Sequence, residues 1–431
     1  MVTASLRGAR APRRGLEGQW PDAPPRQKAY NVLKIAPTSF FADYGCHVRI
    51  YEESRTLQAR GNRVAICTYP SGADVPGLAI YRGIEVPWNR SLQMGSSLHK
   101  LYYDALLALK SAQVARRLRP NLIHAHLHEG ALIGFWIARR WGVPLVFDFQ
   151  GSLTSEMVDH NFIARTSLAF RPLRGLEAII NQMADAVITS SQNAAEVLIR
   201  DFGYPPAKVV TIPDRVNGEV FRPWWEMPPG ERAWRREKLG IPPGRMVIAY
   251  LGLLAEYQGV GKLLMAVALL VERGYPVHLL LMGFPGEARY RALAAGLGIS
   301  DRVTFTGKVS YFQAPYYLAL GDVAVSPKLS ETEGNGKLLN YMAVGLPTVA
   351  FETPVAKEIL GPLGIYAAPG DAPDLARALA WLVRVGEEAY VLGQKLRERA
   401  LTRYSWDGAG DQLEGVYERL TARRESASKP R

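Results

Sequence analysis

The stretch from residue 328 to residue 347 reads Lys328-Leu-Ser-Glu-Thr-Glu-Gly-Asn-Gly-Lys-Leu-Leu-Asn-Tyr-Met-Ala-Val-Gly-Leu-Pro347. It follows a short apolar run with strand composition and passes through a polar turn into a helical pattern, which ends at Gly345 and Pro347. The glycines of the turn let the backbone approach a ligand, and the N-terminus of the predicted helix attracts phosphate. Lys337 lies in the first turn of this helix, and Asn340 follows on the same face. The stretch therefore predicts a strand, a loop and a helix around a phosphorylated, hydroxyl-bearing ligand.

Length and pattern predict two domains around this stretch. The chain has 431 residues, more than one hydrophobic core usually serves. Strand and helix patterns alternate over residues 29–220 and again over 244–403, and a segment rich in Pro, Trp and charge separates them at 221–243. Such alternation predicts an α/β fold of two Rossmann-like, doubly wound halves, with the ligand between them at the carboxyl ends of the strands.

Composition limits the cellular compartments in which the protein is expected. No apolar run approaches the ~20 residues of a membrane-spanning helix, and residues 1–28 are rich in Arg, Pro and Gly without the apolar core of a signal peptide. We predict that residues 1–28 form a disordered basic tail. Cys46 and Cys67 make neither a disulfide framework nor a zinc pattern, which favours a reducing cytoplasm.

The formal net charge is +12, and the basic residues are dispersed along the chain. A solvated surface accounts for any single basic cluster, and attraction to an anionic membrane is the best functional interpretation. The amphipathic pattern from Trp88 to Leu118 could lie on a membrane or form an ordinary crossover helix. No nucleic acid partner is expected, because neither half contains a recognised base-reading module.

Five further segments carry a family resemblance as a set, in order along the chain. They are Asp43-Tyr-Gly-Cys-His-Val48, Ile123-His-Ala-His-Leu-His-Glu-Gly130, Val146-Phe-Asp-Phe-Gln-Gly151, Ile212-Pro-Asp-Arg-Val-Asn-Gly-Glu-Val-Phe221 and Tyr250-Leu-Gly-Leu-Leu-Ala-Glu-Tyr-Gln-Gly259. With the opening stretch, they resemble the family 4 glycosyltransferases, retaining enzymes of the GT-B fold that move a sugar from a nucleotide sugar to an acceptor. The resemblance implies an acceptor-side N-terminal domain, joined by a last helix over 404–423, and a donor-binding C-terminal domain.

On the acceptor side, the resemblance assigns roles to residues after three strands. Gly45 stands alone where the family has two glycines near the donor phosphate, and Asp43, His47 and His128 are expected on the acceptor side. His126 matches the family's histidine beside the donor sugar, and Gln150 replaces a second histidine. An amide can bond a sugar hydroxyl but cannot shuttle a proton near neutral pH.

The three histidines at alternate positions, 124, 126 and 128, leave two other interpretations open. They could ligate zinc, because a strand sends alternate side chains to one face, although no fourth ligand is evident in the sequence. They could also be satisfied core or loop histidines. We predict no metal site, and no Asp-x-Asp metal motif occurs in the chain.

On the donor side, the chain departs from the family pattern at several positions. After Gly252, the family's diphosphate-binding Arg and Lys are replaced by Leu253 and Gln258. Either the donor carries a single phosphate, which needs less charge, or Lys337, Lys328 or Lys262 supplies the charge from elsewhere. Thr332 occupies the place of the family's first glutamate, and Asn340 that of the second, which bonds the ribose. The remaining donor-side candidates are Glu331, Gly334, Asn335 and Gly336, with Glu333 as the carboxylate that faces the donor sugar.

The resemblance thus predicts a metal-independent, retaining glycosyltransferase with His126, Gln150, Glu333 and Lys337 as catalytic residues. It needs no cofactor beyond a UDP- or GDP-linked sugar as co-substrate, and its acceptor is left open. The predicted setting is the cytoplasm, with peripheral contact at the inner face of the membrane. Two alternatives remain: an epimerase of sugar nucleotides on the same fold, or a sugar-nucleotide or lipid-binding protein with weakened catalysis.

Overall fold

The computed structural model describes residues 29–42, 45–85, 98–159, 162–330 and 334–428. The predicted tail at residues 1–28 lies outside these ranges. In the described part of the chain, no helix combines the length and the apolar character needed to cross a bilayer.

The first half of the chain folds around a seven-stranded parallel sheet. In spatial order the strands are β3 (Ala79–Arg82), β2 (Arg63–Thr68), β1 (Asn31–Ala36), β4 (Leu122–His126), β5 (Leu145–Phe149), β6 (Ala186–Thr189) and β7 (Val209–Thr211). The helices of this half are α1 (Gly45–Ala59), α2 (Leu98–Leu118), α3 (Leu127–Trp141), α4 (Leu153–Asp159), α5 (Phe170–Asn181) and α6 (Gln192–Phe202). The strand order reverses between β1 and β4, which is where such sheets bind ligands.

The second half repeats this plan with six parallel strands. Their order is β10 (Val303–Gly307), β9 (Val277–Met282), β8 (Met246–Leu251), β11 (Val323–Ser326), β12 (Thr348–Phe351) and β13 (Ile365–Ala367). The helices are α7 (Glu231–Lys238), α8 (Val260–Glu272), α9 (Glu287–Gly296), α10 (Ala314–Leu318), α11 (Lys337–Ala343), α12 (Pro354–Leu360), α13 (Ala372–Val385), α14 (Glu387–Arg403) and α15 (Asp407–Ser428). The predicted α/β fold of two Rossmann-like domains is confirmed, and its second reversal lies between β8 and β11.

The central strands of both sheets are buried on both faces, as is usual in parallel sheets. All five side chains of β5, Leu-Val-Phe-Asp-Phe, are buried. Asp148 is the charged exception in this apolar strand, and its carboxylate is fully buried. A buried charge requires partners, so we expect cationic or hydrogen-bonding side chains around Asp148.

Two segments connect the domains. Within residues 221–243, the predicted linker, helix α7 lies against the C-terminal domain, where Arg232 donates from Nη2 to Asp322 Oδ1 at 2.8 Å. Helix α15 returns to the N-terminal domain and packs against α1. There Arg60 donates from Nε to Glu414 Oε2 at 2.7 Å.

Candidate active site

A cleft of about 1090 Å³ lies between the domains. It is lined by residues that follow the carboxyl ends of β1, β4 and β5 on one side, and of β8, β9 and β11 on the other. Both points where the strand order reverses therefore open into the same space, which is the usual ligand site of doubly wound sheets.

Lys337 lines the donor half of the cleft. Its Nζ donates to Gln258 Oε1 at 2.6 Å and lies 4.7 Å from the centre of the Tyr250 ring. A Cβ atom built on Gly252 would stand 2.7 Å from the same Nζ, so the missing side chain of Gly252 makes room for the ammonium group. The cation from α11 thus reaches the loop after β8, where Leu253 and Gln258 stand.

The glycine-containing loop before α11 packs tightly against the other half of the molecule. Cβ atoms at Gly334 and Gly336 would lie 3.1 and 3.3 Å from Asp214 Oδ2. Lys328 donates from Nζ to the carbonyl of Gly334 at 2.7 Å, and Asn335 donates from Nδ2 to Ser326 Oγ at 3.1 Å. The close approach of the Asp214 carboxylate explains the glycines here.

Other predicted donor-side residues fall into two groups. Asn340, one turn along α11 from Lys337, lines the cleft, as do Gly252, Gln258 and the glycine-containing loop. Glu331 and Glu333 lie outside the described residues, so their predicted roles stay predictions.

A network of buried charges lies beneath the acceptor half of the cleft. Arg49 donates from Nη2 to Asp148 Oδ1 at 2.9 Å and from Nη1 to Asp214 Oδ1 at 3.1 Å. Behind it, Lys34 donates from Nζ to Glu53 Oε2 at 2.8 Å. Burial alone would raise the pKa of Asp148, but the charge of Arg49 and the bond from His126 outweigh burial and hold that pKa well below its ordinary value.

His126 belongs to this network and not to the cleft surface, contrary to the expectation that it faces the donor sugar. Its ring is fully buried and its Nδ1 lies 2.9 Å from Asp148 Oδ2. Burial lowers the pKa of His126, so the ring is neutral near pH 7 and Nδ1 donates to the carboxylate. His126 therefore positions Asp148, which also accepts a bond from Gln150 Nε2 at 2.8 Å.

Alternation along β4 places His124 and His126 on one face, with the rings stacked 4.7 Å apart. Carboxylates from other elements join them, so that four potential metal-ligand atoms lie within 4.8 Å of one another, from Glu53, His124, His126 and Asp148. Neither carboxylate is among the metal ligands that the sequence analysis considered. Both of them already bond a cation, Lys34 in one case and Arg49 in the other, and these contacts favour a network of ion pairs over a metal site.

His128 is the histidine of this segment that lines the cleft. It follows Leu127, the first residue of α3, whose φ of 60° is rare for a residue with a bulky side chain. Its Nε2 lies 3.6 Å from Glu177 Oε1, and burial lowers the pKa of the ring, which keeps the ring neutral near pH 7. The turn at Leu127 thus leads a neutral histidine to the acceptor half of the cleft, with the buried Glu177 carboxylate behind it.

The remaining acceptor-side expectations have mixed outcomes. Gly45 begins α1 and lines the cleft. Gln150 also lines the cleft. His47 does not face the cleft, because its ring is fully buried and both ring nitrogens have partners: Nδ1 accepts from the backbone N–H of Ala42 at 2.8 Å, and Nε2 lies 2.5 Å from Thr38 Oγ1. His47 fixes the loop after β1 instead. Asp43 lies outside the described residues.

Sequence reasoning missed Arg49 and Asp214. Arg49, Glu52 and Glu53 recur at helical spacing on a helix that must pack against a sheet. Charges on the packed face of a crossover helix are the signal that could have found the network. Asp214 gave a weaker signal, since only the fold brings its loop beside Arg49.

Sequence models of two families match the chain. The Glycosyl transferase 4-like domain matches residues 44–215, and Glycosyl transferases group 1 matches residues 231–399, so that together they span both domains. The chain belongs to the family 4 glycosyltransferases. The predicted family and enzyme class are thereby confirmed.

Individual relatives agree with this assignment. The chain is 27% identical to a D-inositol 3-phosphate glycosyltransferase from Stackebrandtia nassauensis over 400 residues, which cover 86% of each protein. Among solved structures, a sucrose-phosphate synthase from Thermosynechococcus elongatus superposes with a TM-score of 0.77 at 20% identity, over 91% of this chain and 99% of that one. Anabaena Alr3699/HepE in complex with UDP and glucose superposes with a TM-score of 0.74 at 18% identity, over 91% and 100%.

These structural likenesses confirm the GT-B arrangement of this family 4 glycosyltransferase. The matched families and relatives are transferases, which favours glycosyl transfer over the epimerase that the sequence left open. The domain that contains Lys337 is the one matched by Glycosyl transferases group 1.

Proposed function

We propose that this glycosyltransferase uses a nucleotide-sugar donor and retains the configuration at the anomeric carbon. The position of Lys337 carries the proposal. Its ammonium group bonds Gln258 and stands over Gly252, in the loop where the family's diphosphate-binding cations are expected and where this chain has none of its own. Lys337 therefore compensates from α11 for the substitutions at Leu253 and Gln258.

The donor is expected to carry UDP or GDP. In support, the similar Anabaena structure holds UDP and glucose in complex with the same fold. Asn340 lines the cleft on the same helix as Lys337, and its amide can both donate to and accept from the ribose hydroxyls. A neutral amide at 340 also adds no negative charge to the two carboxylates at 331 and 333 that precede this helix in the sequence.

In the proposed reaction, the bond between the anomeric carbon and the phosphate oxygen breaks while the acceptor oxygen bonds the anomeric carbon on the same face. The acceptor proton passes to the departing phosphate. Lys337 stabilises the negative charge that develops there, and such a contact contributes about 2.7–4 kcal/mol to the barrier reduction. Gln150 and His128 orient the reactants from the acceptor half, where both line the cleft.

A donor screen with matched lysine variants tests this proposal. UDP, GDP and ADP sugars are added to the full-length protein, and the shift in Tm identifies the nucleotide, because a ligand at about 100 times its Kd stabilises by roughly 2.7 kcal/mol. Turnover is then followed by nucleotide release, with D-inositol 3-phosphate as the first acceptor because it appears in the name of the Stackebrandtia relative.

We expect Lys337→Ala to lower kcat by about 100- to 1000-fold. Lys357→Ala is the matched control, since Lys357 is an exposed lysine of the same domain and does not line the cleft. An unchanged kcat and KM in Lys337→Ala would refute the phosphate role. Retention is measured separately by proton NMR of the first product formed, and an inverted anomer would refute that part of the proposal.

A further inference from the structure

The outer surface of the N-terminal domain exposes an unusual amount of apolar side chain. Helix α3 packs between α2 and α5, and we call the solvent side of these three helices, with the turn before α5, the outer helical face. Leu101 is 68% exposed, Trp136 63%, Leu168 97% and Ile179 59%. Leu109, Leu132 and Leu176 are exposed on the same helices. Several large apolar side chains exposed on neighbouring helices indicate a candidate interaction site.

The charges on the outer helical face have a single sign among its described, exposed side chains. The exposed charged residues are Arg116, Arg117, Arg119, Arg139, Arg140, Arg165 and Arg171. The acidic residues of the same segments are withdrawn: Asp104 accepts a bond from Tyr69, Glu129 pairs with Lys100, and Glu177 is buried. The face therefore combines large apolar groups with positive charge that no exposed carboxylate offsets.

The fold fixes where these groups lie relative to the cleft. Crossover helices run antiparallel to the strands they connect, so α2 and α3 begin beside the carboxyl ends of the strands. Their first turns contribute Lys100 and His128 to the cleft, and their last turns carry Arg116, Arg139 and their neighbours at the far edge. Leu109 on α2, and Leu132 and Trp136 on α3, lie between these two ends, so the outer helical face extends from the cleft rim to a basic border.

We propose that the outer helical face docks the protein on an anionic lipid bilayer. Leucine and tryptophan side chains enter the boundary between headgroups and acyl chains, while arginines at the border bind the anionic headgroups. A two-fold contact with a second copy would bring the same set of arginines together without carboxylates to pair with them. Nucleic acid would account for the arginines but leave the exposed leucines without a partner. This proposal concerns a surface outside the cleft and does not rest on the choice of donor.

Sedimentation with lipid vesicles tests the proposal on the full-length protein. Vesicles of phosphatidylglycerol mixed with phosphatidylcholine are compared with vesicles of phosphatidylcholine alone, at low and high salt. We expect binding to the anionic vesicles, weaker in high salt because the charges are exposed. The double variant Arg139→Glu/Arg140→Glu should reduce the partition coefficient at least about tenfold, since each basic residue near such a surface contributes about 1 kcal/mol. Trp136→Ser/Ile179→Ser should weaken binding in high salt as well.

The C-terminal domain offers a matched control. Trp381 and Arg384 are exposed on α13, and Trp381→Ser/Arg384→Glu repeats the same chemistry away from the outer helical face. This variant should bind anionic vesicles as the wild type does. All variants should keep the wild-type Tm and the wild-type increase in Tm on addition of the donor.

Three results would overturn the proposal. One is equal sedimentation with both kinds of vesicle, and another is wild-type binding by the Arg139/Arg140 and Trp136/Ile179 variants, which would assign membrane binding to another part of the chain. The third is a dimer that Trp136→Ser/Ile179→Ser converts to a monomer, with no vesicle binding. Because the donor shift is measured on the same samples, failure here is distinct from failure of the proposed function.

Discussion

Replacing Arg49 by Met tests whether the buried charges beneath the cleft act as one network. The substitution keeps an unbranched aliphatic chain but removes the cation that bonds Asp148 and Asp214. At the observed 2.9 Å contact, two unit charges attract by roughly 6 kcal/mol at an effective dielectric constant of about 20. Part of this loss is offset, because Met avoids the desolvation of a guanidinium group. We expect the free energy of unfolding to fall by about 3–5 kcal/mol near neutral pH.

The pH dependence distinguishes a lost charge pair from a lost packing contact. In the wild type, the pKa of Asp148 lies below its unfolded value, so its contribution is present above the unfolded pKa and is lost as pH falls through the folded one. Without Arg49, burial would raise the pKa of the Asp148 carboxyl, and folding would then take up a proton in mildly acid solution. The stability deficit of Arg49→Met should therefore shrink between neutral pH and about pH 5.

The assay is urea unfolding followed by circular dichroism at both pH values, on the wild type, Arg49→Met and a control. Arg55→Met is the matched control, because Arg55 lies on the same helix but is exposed, and it should change stability by no more than about 0.5 kcal/mol. A deficit in Arg49→Met of less than about 1 kcal/mol, or one that stays the same from neutral to acid pH, would refute the reasoning.

Three further predictions concern single positions. Gly259 has a φ of 73°, and a Cβ there would lie 1.9 Å from the carbonyl oxygen of Pro327, so Gly259→Ala should lower stability by at least about 2 kcal/mol in thermal unfolding. Gly274→Ala, at a φ of 78° with open space around the Cβ, should cost only about 1 kcal/mol, and equal losses would contradict the steric argument. His128→Gln should reduce kcat about 100-fold without changing donor Kd, if a neutral ring orients the acceptor. In contrast, His126→Gln should lower Tm, and a normal Tm with reduced donor binding would return His126 to the cleft.

Local sequence was sufficient for the architecture. Alternating strand and helix patterns predicted both doubly wound sheets, because each apolar run is buried by helices that are close to it in the chain. The opening stretch likewise predicted a strand, a loop and a helix, observed as β11 and α11, and Leu338, Leu339 and Met342 are buried on that helix as their spacing predicts.

The histidine segment shows where local reasoning stopped. Alternation along β4 correctly puts His124 and His126 on one face, but it cannot say what covers that face. Helix α15, almost 300 residues later, brings Tyr417 to within 2.7 Å of His124 Nδ1, and α1 brings Arg49 to Asp148. These long-range contacts bury His126 and leave His128 as the histidine at the cleft.

Lys337 shows the same limit of local sequence within the donor site. The sequence determined that a lysine begins α11 and that the loop after β8 lacks the family's cations at Leu253 and Gln258. Only the tertiary structure decided which lysine approaches that loop, since the 2.6 Å contact joins Lys337 Nζ to a residue 79 positions away. The physical reason is that β8 and β11 are neighbours in the parallel sheet, so the loops after them meet at one edge although the chain between them is long.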